Sequence, residues 1–250
     1  MQNYKLKPWL FFVLLSCLVF LIGADPNCNT VKSPAVEVLN CGIGGQNSRD
    51  VLNRFADILK ARPDLIILMV GTNDCLNSNN SIPLEQYVDN IKKISDLVRA
   101  RDIKLILLTI PPCYGEYVLA RHPAQFFGGQ TPETKVKKYN DALKAVALKE
   151  KLSLVDIHRL FSAIGNIGID RESIIRNSAN SDAKDGVHPT YDGYRLIAAT
   201  VHEFLQLQQM NPQKVACVGD SITFGVHVRG EGTSCGQTYP ALLSALCNSN

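Results

Sequence analysis

Short runs of apolar, often β-branched residues alternate along the chain with longer segments in which apolar residues recur every three or four positions. The short runs are typical of strands buried on both faces, and the longer segments are typical of helices with one buried face. The predicted strands cover residues 36–39, 65–70, 104–110, 152–155 and 215–218, and the predicted helices cover residues 47–61, 83–101, 132–151, 191–208 and 239–246. Because strands and helices alternate, we predict an α/β fold in which one five-stranded parallel sheet lies between two layers of helices.

The first 24 residues form a separate pattern. Lys5 and Lys7 precede an apolar run over residues 9–22, and Gly23, Ala24 and a polar stretch follow it. This order is typical of a secretory signal peptide that is cleaved after Ala24. We therefore predict a signal peptide at 1–24 and one secreted or extracytoplasmic domain at 25–250. An uncleaved membrane anchor is the alternative, although the run is short for a bilayer span.

Composition fits one globular domain and restricts its partners. The chain has 250 residues, of which 46% are hydrophobic. Its formal net charge of +3 falls to +1 when Lys5 and Lys7 leave with the signal peptide. So weak a charge does not favour binding to nucleic acid or to an anionic membrane surface. We also expect no stable membrane insertion after cleavage, and the sequence carries no signal for a particular oligomeric state.

Seven cysteines follow residue 24, and export permits disulfide bonds. No Cys-x-x-Cys pair is present in the sequence, which argues against a zinc cluster. Cys41 and Cys217 lie in or beside predicted strands and are interpreted as small buried residues. Cys75 and Cys113 each follow a predicted strand, so we expect that they can form a disulfide bridge. The odd count leaves at least one thiol free or paired outside the chain.

Four turns carry residues that suit catalysis, at 42–46, 71–74, 185–188 and 219–221. In open α/β sheets, ligands bind beyond the carboxyl ends of the strands. Ser221 is the predicted nucleophile, and His188 is the predicted base, because a hydroxyl attacks well only when a base takes its proton. Asp185 is three residues earlier and is predicted to orient the imidazole. The alternative interpretations are a polar turn at Ser221 and a helix cap before Pro189.

The remaining histidines lack such surroundings and are interpreted as surface or core residues. They are His122, His158, His202 and His227.

The four turns and their order after the strands resemble the sequence blocks of the SGNH (GDSL-type) hydrolase family, from about residue 36 to residue 246. The Gly-Asp-Ser block comes first in that family and last here, so the chain resembles a circularly permuted member. The family's flavodoxin-like sheet implies that the strand at 215–218 lies between those at 36–39 and 65–70. Residues near Cys28 and Cys247 should then be close, and a Cys28–Cys247 disulfide would close the cut connection. A fragment of a tandem protein is the competing interpretation.

The resemblance also implies which groups bind the oxyanion. These are the backbone N–H groups of Ser221 and Gly45 and the side-chain amide of Asn73, although an asparagine there can equally form a turn. Neither a metal ion nor a cofactor is expected.

The aromatic residues in the long segment 112–131 either line the substrate site or form a local hydrophobic cluster. They are Tyr114, Tyr117, Phe126 and Phe127.

Together these observations predict a secreted serine esterase that removes short acyl groups such as acetyl, with acetylated carbohydrate as the expected substrate. The substrate class depends on the resemblance and on export. A lysophospholipase or other lipid esterase is the second enzymatic hypothesis. A non-catalytic carbohydrate-binding protein on the same fold is the hypothesis from another class, because a fold does not fix a function.

Overall fold

The computed structural model describes residues 35–249, so the predicted signal peptide and Cys28 lie outside the described residues. The strands are β1 (Glu37–Gly42), β2 (Leu65–Met69), β3 (Lys104–Leu108), β4 (Ser153–Val155) and β5 (Lys214–Gly219). The helices are α1 (Ser48–Asn53), α2 (Phe55–Lys60), α3 (Thr72–Leu76), α4 (Leu84–Arg99), α5 (Gly115–Leu119), α6 (Pro132–Glu150), α7 (Ile157–Ile164), α8 (Ser178–Ser181), α9 (Tyr191–Leu207), α10 (Ser221–Phe224) and α11 (Tyr239–Asn248).

The strand that comes last along the chain lies inside the sheet. The five strands are all parallel and follow the order β1-β5-β2-β3-β4. Strand β5 pairs with β1 through Gly42 opposite Gly219, and with β2 through Met69 opposite Gly219. The predicted single five-stranded parallel sheet is therefore confirmed, as are the two predicted neighbours of its last strand. The register brings the carboxyl ends of β1, β2 and β5 to one edge.

Successive residues of the strands enter two separate cores, because side chains alternate between the faces of a sheet. Ile66, Leu68 and Val218 pack with helices α1, α2, α4 and α6 on one face. Ile67 and Val215 pack with α7, α9 and α11 on the other face. Each fully buried aliphatic side chain stabilises the fold by about 1.5–3 kcal/mol before entropy is counted. Helices therefore cover both faces, as the alternation of strands and helices predicts.

The predicted helix over residues 47–61 is in fact two helices, which Arg54 separates. Arg54 has φ −98° and ψ 5°, which ends α1 and precedes α2. Its guanidinium donates to Gln46 Oε1 at 2.6 Å, to Cys41 O at 2.8 Å and to Gly219 O at 3.2 Å. These bonds fix the local backbone at Arg54. The periodicity of the sequence carries no information about them, so it predicted one continuous helix.

Two predicted irregular regions contain helix. The turn at 71–74 continues into α3, and the segment 111–131 contains α5 and a 3₁₀ helix at Ala124–Phe127. These three elements have only four or five residues each, so none of them gives a clear periodic pattern.

The predicted bridge between Cys75 and Cys113 is wrong. Both residues are buried free thiols. Cys75 lies on α3, and its thiol faces the carbonyl of Thr72 at 3.6 Å instead of a sulfur. The predicted Cys28–Cys247 bridge involves a residue outside the described part of the chain. Cys247 itself is on α11 and half-buried.

The first and last described elements meet at the edge of the sheet. Val36 N–H donates to Asn248 Oδ1 at 2.8 Å, and Asn248 Nδ2 donates to Val36 O at 3.0 Å. Strand β1 thus begins beside the end of α11. Within residues 35–249, no helix has the length and apolar character required to cross a bilayer.

Candidate active site

Ser221 lies at the point where the central strand ends and α10 begins. Asp220 caps this short helix by accepting from Ile222 N–H at 2.9 Å. Space at the strand ends is very restricted: a Cβ on Gly42 would lie 2.1 Å from Phe224 N, and one on Gly219 would lie 2.1 Å from Met69 O. Glycine at these two positions lets α10 sit directly against the sheet and holds the hydroxyl of Ser221 at its edge.

The structure brings Ser221, His188 and Asp185 together in one hydrogen-bonded row. His188 Nε2 is 2.9 Å from Ser221 Oγ, and His188 Nδ1 is 2.9 Å from Asp185 Oδ2. The turn that carries His188 is held by backbone bonds to Arg176, whose N–H donates to His188 O and whose carbonyl accepts from Gly186 N–H, each at 2.9 Å. The three residues predicted from the sequence are therefore adjacent, in the order serine, histidine and aspartate.

Asp185 is held in its ionised form. Burial acts to raise the pKa of this carboxyl, but the hydrogen bond and charge of His188 and the backbone N–H groups of Val187 and His188 outweigh burial. The pKa of Asp185 is therefore well below its ordinary value. An ionised carboxylate at Nδ1 keeps the proton of His188 on that nitrogen, and Nε2 is then free to accept from Ser221.

A second imidazole, His227, lies beside this row and was not identified from the sequence. His227 Nε2 is 3.6 Å from Asp185 Oδ2, and its ring stands edge-on to that of His188 with centroids 5.4 Å apart. Arg176 Nε is 3.9 Å from the same carboxylate oxygen. Neither His227 nor Arg176 belongs to a recognisable motif, so only their closeness to Asp185 in the structure connects them with the site. The interpretation of His227 as an ordinary surface or core residue is incomplete.

The three groups predicted to bind an oxyanion lie on adjacent strand ends. Gly45 follows β1 in a turn with φ +78°, which a glycine adopts without strain. Asn73 follows β2, and its Nδ2 donates to Gln46 O at 2.9 Å, while its Oδ1 accepts from Asn77 Nδ2 at 3.1 Å. Only one hydrogen of the Asn73 amide is used in that bond to Gln46. The bond links the Asn73 turn to the Gly45 turn at the edge where Ser221 begins α10.

Two carboxyls are buried behind this edge. Asp74 accepts from Ser48 through both its backbone N–H and its hydroxyl, and burial raises the pKa of Asp74 to about 7. Burial likewise raises the pKa of Asp220 to about 6, against the opposing donation from Ile222 N–H. Asp220 Oδ2 and the neighbouring Thr72 hydroxyl are buried without hydrogen-bond partners among the described residues. Both carboxyls therefore keep their protons to a higher pH than an ordinary aspartate does.

The buried pair predicts a stability that falls as the pH rises. Between about pH 4 and pH 7 the folded chain binds more protons at Asp74 and Asp220 than the unfolded chain, so each proton lost costs folding free energy. We expect these two carboxyls to contribute a decrease of roughly 2–4 kcal/mol in the free energy of unfolding from pH 5 to pH 8, measured by urea denaturation of the wild type and variants. Histidines with lowered pKa, which are His122, His158 and His227, act in the opposite direction. Asp74→Asn should remove much of this difference, whereas Asp57→Asn, at an exposed ion pair, should retain it. Equal pH dependence in both variants would contradict the assignment.

The aromatic residues of segment 112–131 separate into two groups. Tyr114 and Tyr117 stack edge-to-face at 4.9 Å, and Tyr114 N–H donates to Gly186 O at 2.8 Å, so this pair packs against the turn of Asp185. Phe127 is buried in the core, and Phe126 packs against that core beneath the ammonium of Lys135 at 3.4 Å. The two tyrosines are thus beside the candidate site, and the two phenylalanines form the local hydrophobic cluster.

Residues 27–196 match the GDSL-like Lipase/Acylhydrolase family. The chain belongs to this family. The matched range contains Gly45, Asn73, Asp185 and His188, whereas Ser221 follows it. The predicted resemblance to SGNH (GDSL-type) hydrolases is therefore confirmed, and the chain is a hydrolase of this type.

The individual proteins that the chain resembles are distant in sequence. The uncharacterized lipoprotein YqeF of Bacillus subtilis is 28% identical over 195 residues, which are 72% of this chain and 78% of the relative. The isoamyl acetate-hydrolyzing esterase of Saccharomyces cerevisiae is 24% identical over 166 residues, which are 64% of this chain and 65% of the relative. The crystal structure of a GDSL-like lipase from Bacteroides thetaiotaomicron is 25% identical with a TM-score of 0.50, and the match covers 67% of this chain and 74% of that one.

Proposed function

We propose that this GDSL-family hydrolase is a serine esterase that cleaves short-chain, acetyl-type esters through an acyl-enzyme intermediate. The observation that carries the proposal is the 2.9 Å contact between Ser221 Oγ and His188 Nε2, with Asp185 behind the imidazole. A hydroxyl becomes a useful nucleophile when a neutral imidazole accepts its proton, and a buried carboxylate stabilises the imidazolium that results.

The reaction has two halves. His188 Nε2 takes the proton of Ser221 Oγ as this oxygen attacks the ester carbon, and the carbonyl oxygen becomes an oxyanion. When the tetrahedral intermediate collapses, the bond to the alcohol breaks and His188 gives the proton to the leaving oxygen. Water then attacks the acyl-serine by the same route, which releases the acid and restores Ser221.

The oxyanion requires donors that are already in place. The N–H of Ser221 is the first of α10, and the first N–H groups of a helix have no acceptor within it. We assign the other two donors to Gly45 N–H and to the second hydrogen of the Asn73 amide. The bond from Asn73 to Gln46 supports this assignment, because it fixes the plane of the amide.

A polar cavity beside His227 favours an ester substrate with a hydrophilic alcohol group, such as an acetylated carbohydrate, over an ester with a long lipid chain. It has a volume of about 380 Å³ and is lined by Arg171, Ser173, Arg176, Asn180, Thr190 and Gln237, among others. Hydroxyl groups of a sugar find donors and acceptors in such a lining. The yeast relative is an isoamyl acetate-hydrolyzing esterase, and this similarity supports a short acyl group. Tyr114 and Tyr117 are proposed to border the same site.

We also propose that the domain is circularly permuted and exported. The position of β5 between β1 and β2 supports permutation, as does the family match that ends before Ser221. The hydrogen bonds between Val36 and Asn248 support it further, because they join the two elements that the family's usual order would connect. Export is supported by the signal-like pattern at 1–24 and by the lipoprotein among the relatives.

A fluorophosphonate probe tests the proposed nucleophile directly. We expect the probe to add one phosphonyl group per chain, and mass spectrometry of the peptides to locate it on Ser221. Hydrolysis of p-nitrophenyl esters should fall as the acyl chain lengthens from acetate to palmitate, and acetylated xylo-oligosaccharides should release acetate. Labelling at another residue, or no labelling of folded protein, would overturn the serine mechanism. A preference for palmitate would favour the lipid esterase instead.

A further inference from the structure

Asp185, His188 and His227 form the one cluster of its kind among residues 35–249, with one donor atom from each lying within 4.8 Å of the others. The esterase mechanism uses Asp185 and His188 but assigns nothing to His227. Its imidazole is nevertheless held beside the carboxylate by an unusual backbone. His227 has φ 71°, a left-handed conformation that costs a non-glycine residue energy.

The backbone around His227 is fixed on both sides. Its N–H donates to Glu231 Oε1 at 2.6 Å, and its carbonyl accepts from Arg176 Nη1 at 3.4 Å. Half of the side chain is exposed at the polar cavity, which gives small solutes access to it.

Two of the three separations are near those of a metal site, and the third, between the two imidazoles, is within 4.8 Å. In a tetrahedral zinc site with bonds of about 2.0–2.2 Å, neighbouring ligand atoms are about 3.3 Å apart. Here His188 Nδ1 is 2.9 Å from Asp185 Oδ2, and that oxygen is 3.6 Å from His227 Nε2. Two imidazoles and a carboxylate are a usual ligand set for Zn²⁺, and water supplies a fourth ligand. The guanidinium of Arg176 at 3.9 Å from Asp185 opposes a cation, so moderate affinity is expected.

We propose that a divalent transition metal ion, best matched by Zn²⁺, binds to Asp185 Oδ2, His188 Nδ1 and His227 Nε2. The bound ion inhibits the esterase. A metal on His188 Nδ1 requires the lone pair of that nitrogen, so its proton moves to Nε2. Nε2 then has no lone pair with which to accept from Ser221, and the nucleophile stays protonated. The inhibitory part of this proposal rests on the proposed function, whereas the binding site does not.

Two measurements test the metal-binding site and the inhibition separately. Calorimetry with Zn²⁺ on the Ser221→Ala variant, which retains all three ligands, measures binding without any activity. We expect one ion per chain, and at least about a tenfold loss of affinity in the Ser221→Ala/His227→Asn double variant. Asparagine is chosen because it tolerates a positive φ, so the backbone is kept while the imidazole is removed.

Zinc inhibition of ester hydrolysis is then measured for each protein relative to its own rate in EDTA. We expect the half-inhibitory Zn²⁺ concentration to rise at least about tenfold in His227→Asn, and EDTA to restore the wild-type rate. His202→Asn removes an imidazole from α9 and should leave the sensitivity unchanged. No binding by calorimetry, or equal affinity and equal inhibition with and without His227, would overturn the site. Binding without inhibition would overturn the switch.

Discussion

Ser221→Ala is expected to lower kcat for p-nitrophenyl acetate by at least about 10⁴-fold, because the variant has no oxygen to form the acyl-enzyme. The donors at Gly45 and Asn73 remain, so a small rate above that of the uncatalysed reaction should persist. The fold should be unaffected: the Ser221 side chain is only partly buried, and α10 is capped by Asp220 and not by Ser221.

The matched control for this variant is Ser162→Ala, which removes an exposed hydroxyl from α7. It should hydrolyse the ester at the wild-type rate. If Ser221→Ala keeps more than a tenth of the activity while its circular dichroism is unchanged, another group is the nucleophile and the proposed mechanism is wrong.

Asp185→Asn should have the second-largest effect, a fall in kcat of about 10³–10⁴-fold. Val187 and His188 N–H both donate to Oδ1 at 2.9 and 2.8 Å, so the carbonyl oxygen of an asparagine would occupy that position. The amide nitrogen would then take the place of Oδ2, 2.9 Å from His188 Nδ1. It would donate to Nδ1 and leave the proton of the imidazole on Nε2, where it blocks acceptance from Ser221.

The pair Asp185→Asn and Asp96→Asn tests this account. Asp96 forms an exposed ion pair with Arg99 on α4, and its replacement should leave kcat within about twofold. NMR of the imidazole nitrogens should show the proton on Nδ1 in the wild type and on Nε2 in Asp185→Asn. An unchanged tautomer together with a large loss of activity would mean that Asp185 acts through its charge alone.

The inner strands of the sheet were predictable because nearly all of their residues are apolar and buried. Residues 65–69 are buried throughout, and such an apolar run leaves no doubt about a strand that is covered on both faces. The central position of β5 was not contained in that pattern. That position was inferred from the turns that carry Ser221, His188 and Asn73, because they resemble the blocks of a known family with the Ser221 block moved from first to last.

Other features depend on contacts that join distant parts of the chain. The break at Arg54 follows from bonds to Cys41 and Gly219, and a window of neighbouring residues does not contain them. The free thiols of Cys75 and Cys113 show that two cysteines after strands need not face each other. His227 stands on a loop without motif or periodicity, so its position beside Asp185 was visible only in three dimensions.

The insertion of β5 between β1 and β2 has a consequence for biosynthesis. Within residues 35–249, the ribosome makes strands β1 to β4 and helices α1 to α9 before it makes β5, which lies between β1 and β2. Until then β1 and β2 present unpaired edges that invite association with other chains. The nascent polypeptide also holds an imidazole and a carboxylate with no hydroxyl to activate. The proposed esterase activity would therefore appear only after β5 has been synthesised and has paired with β1 and β2.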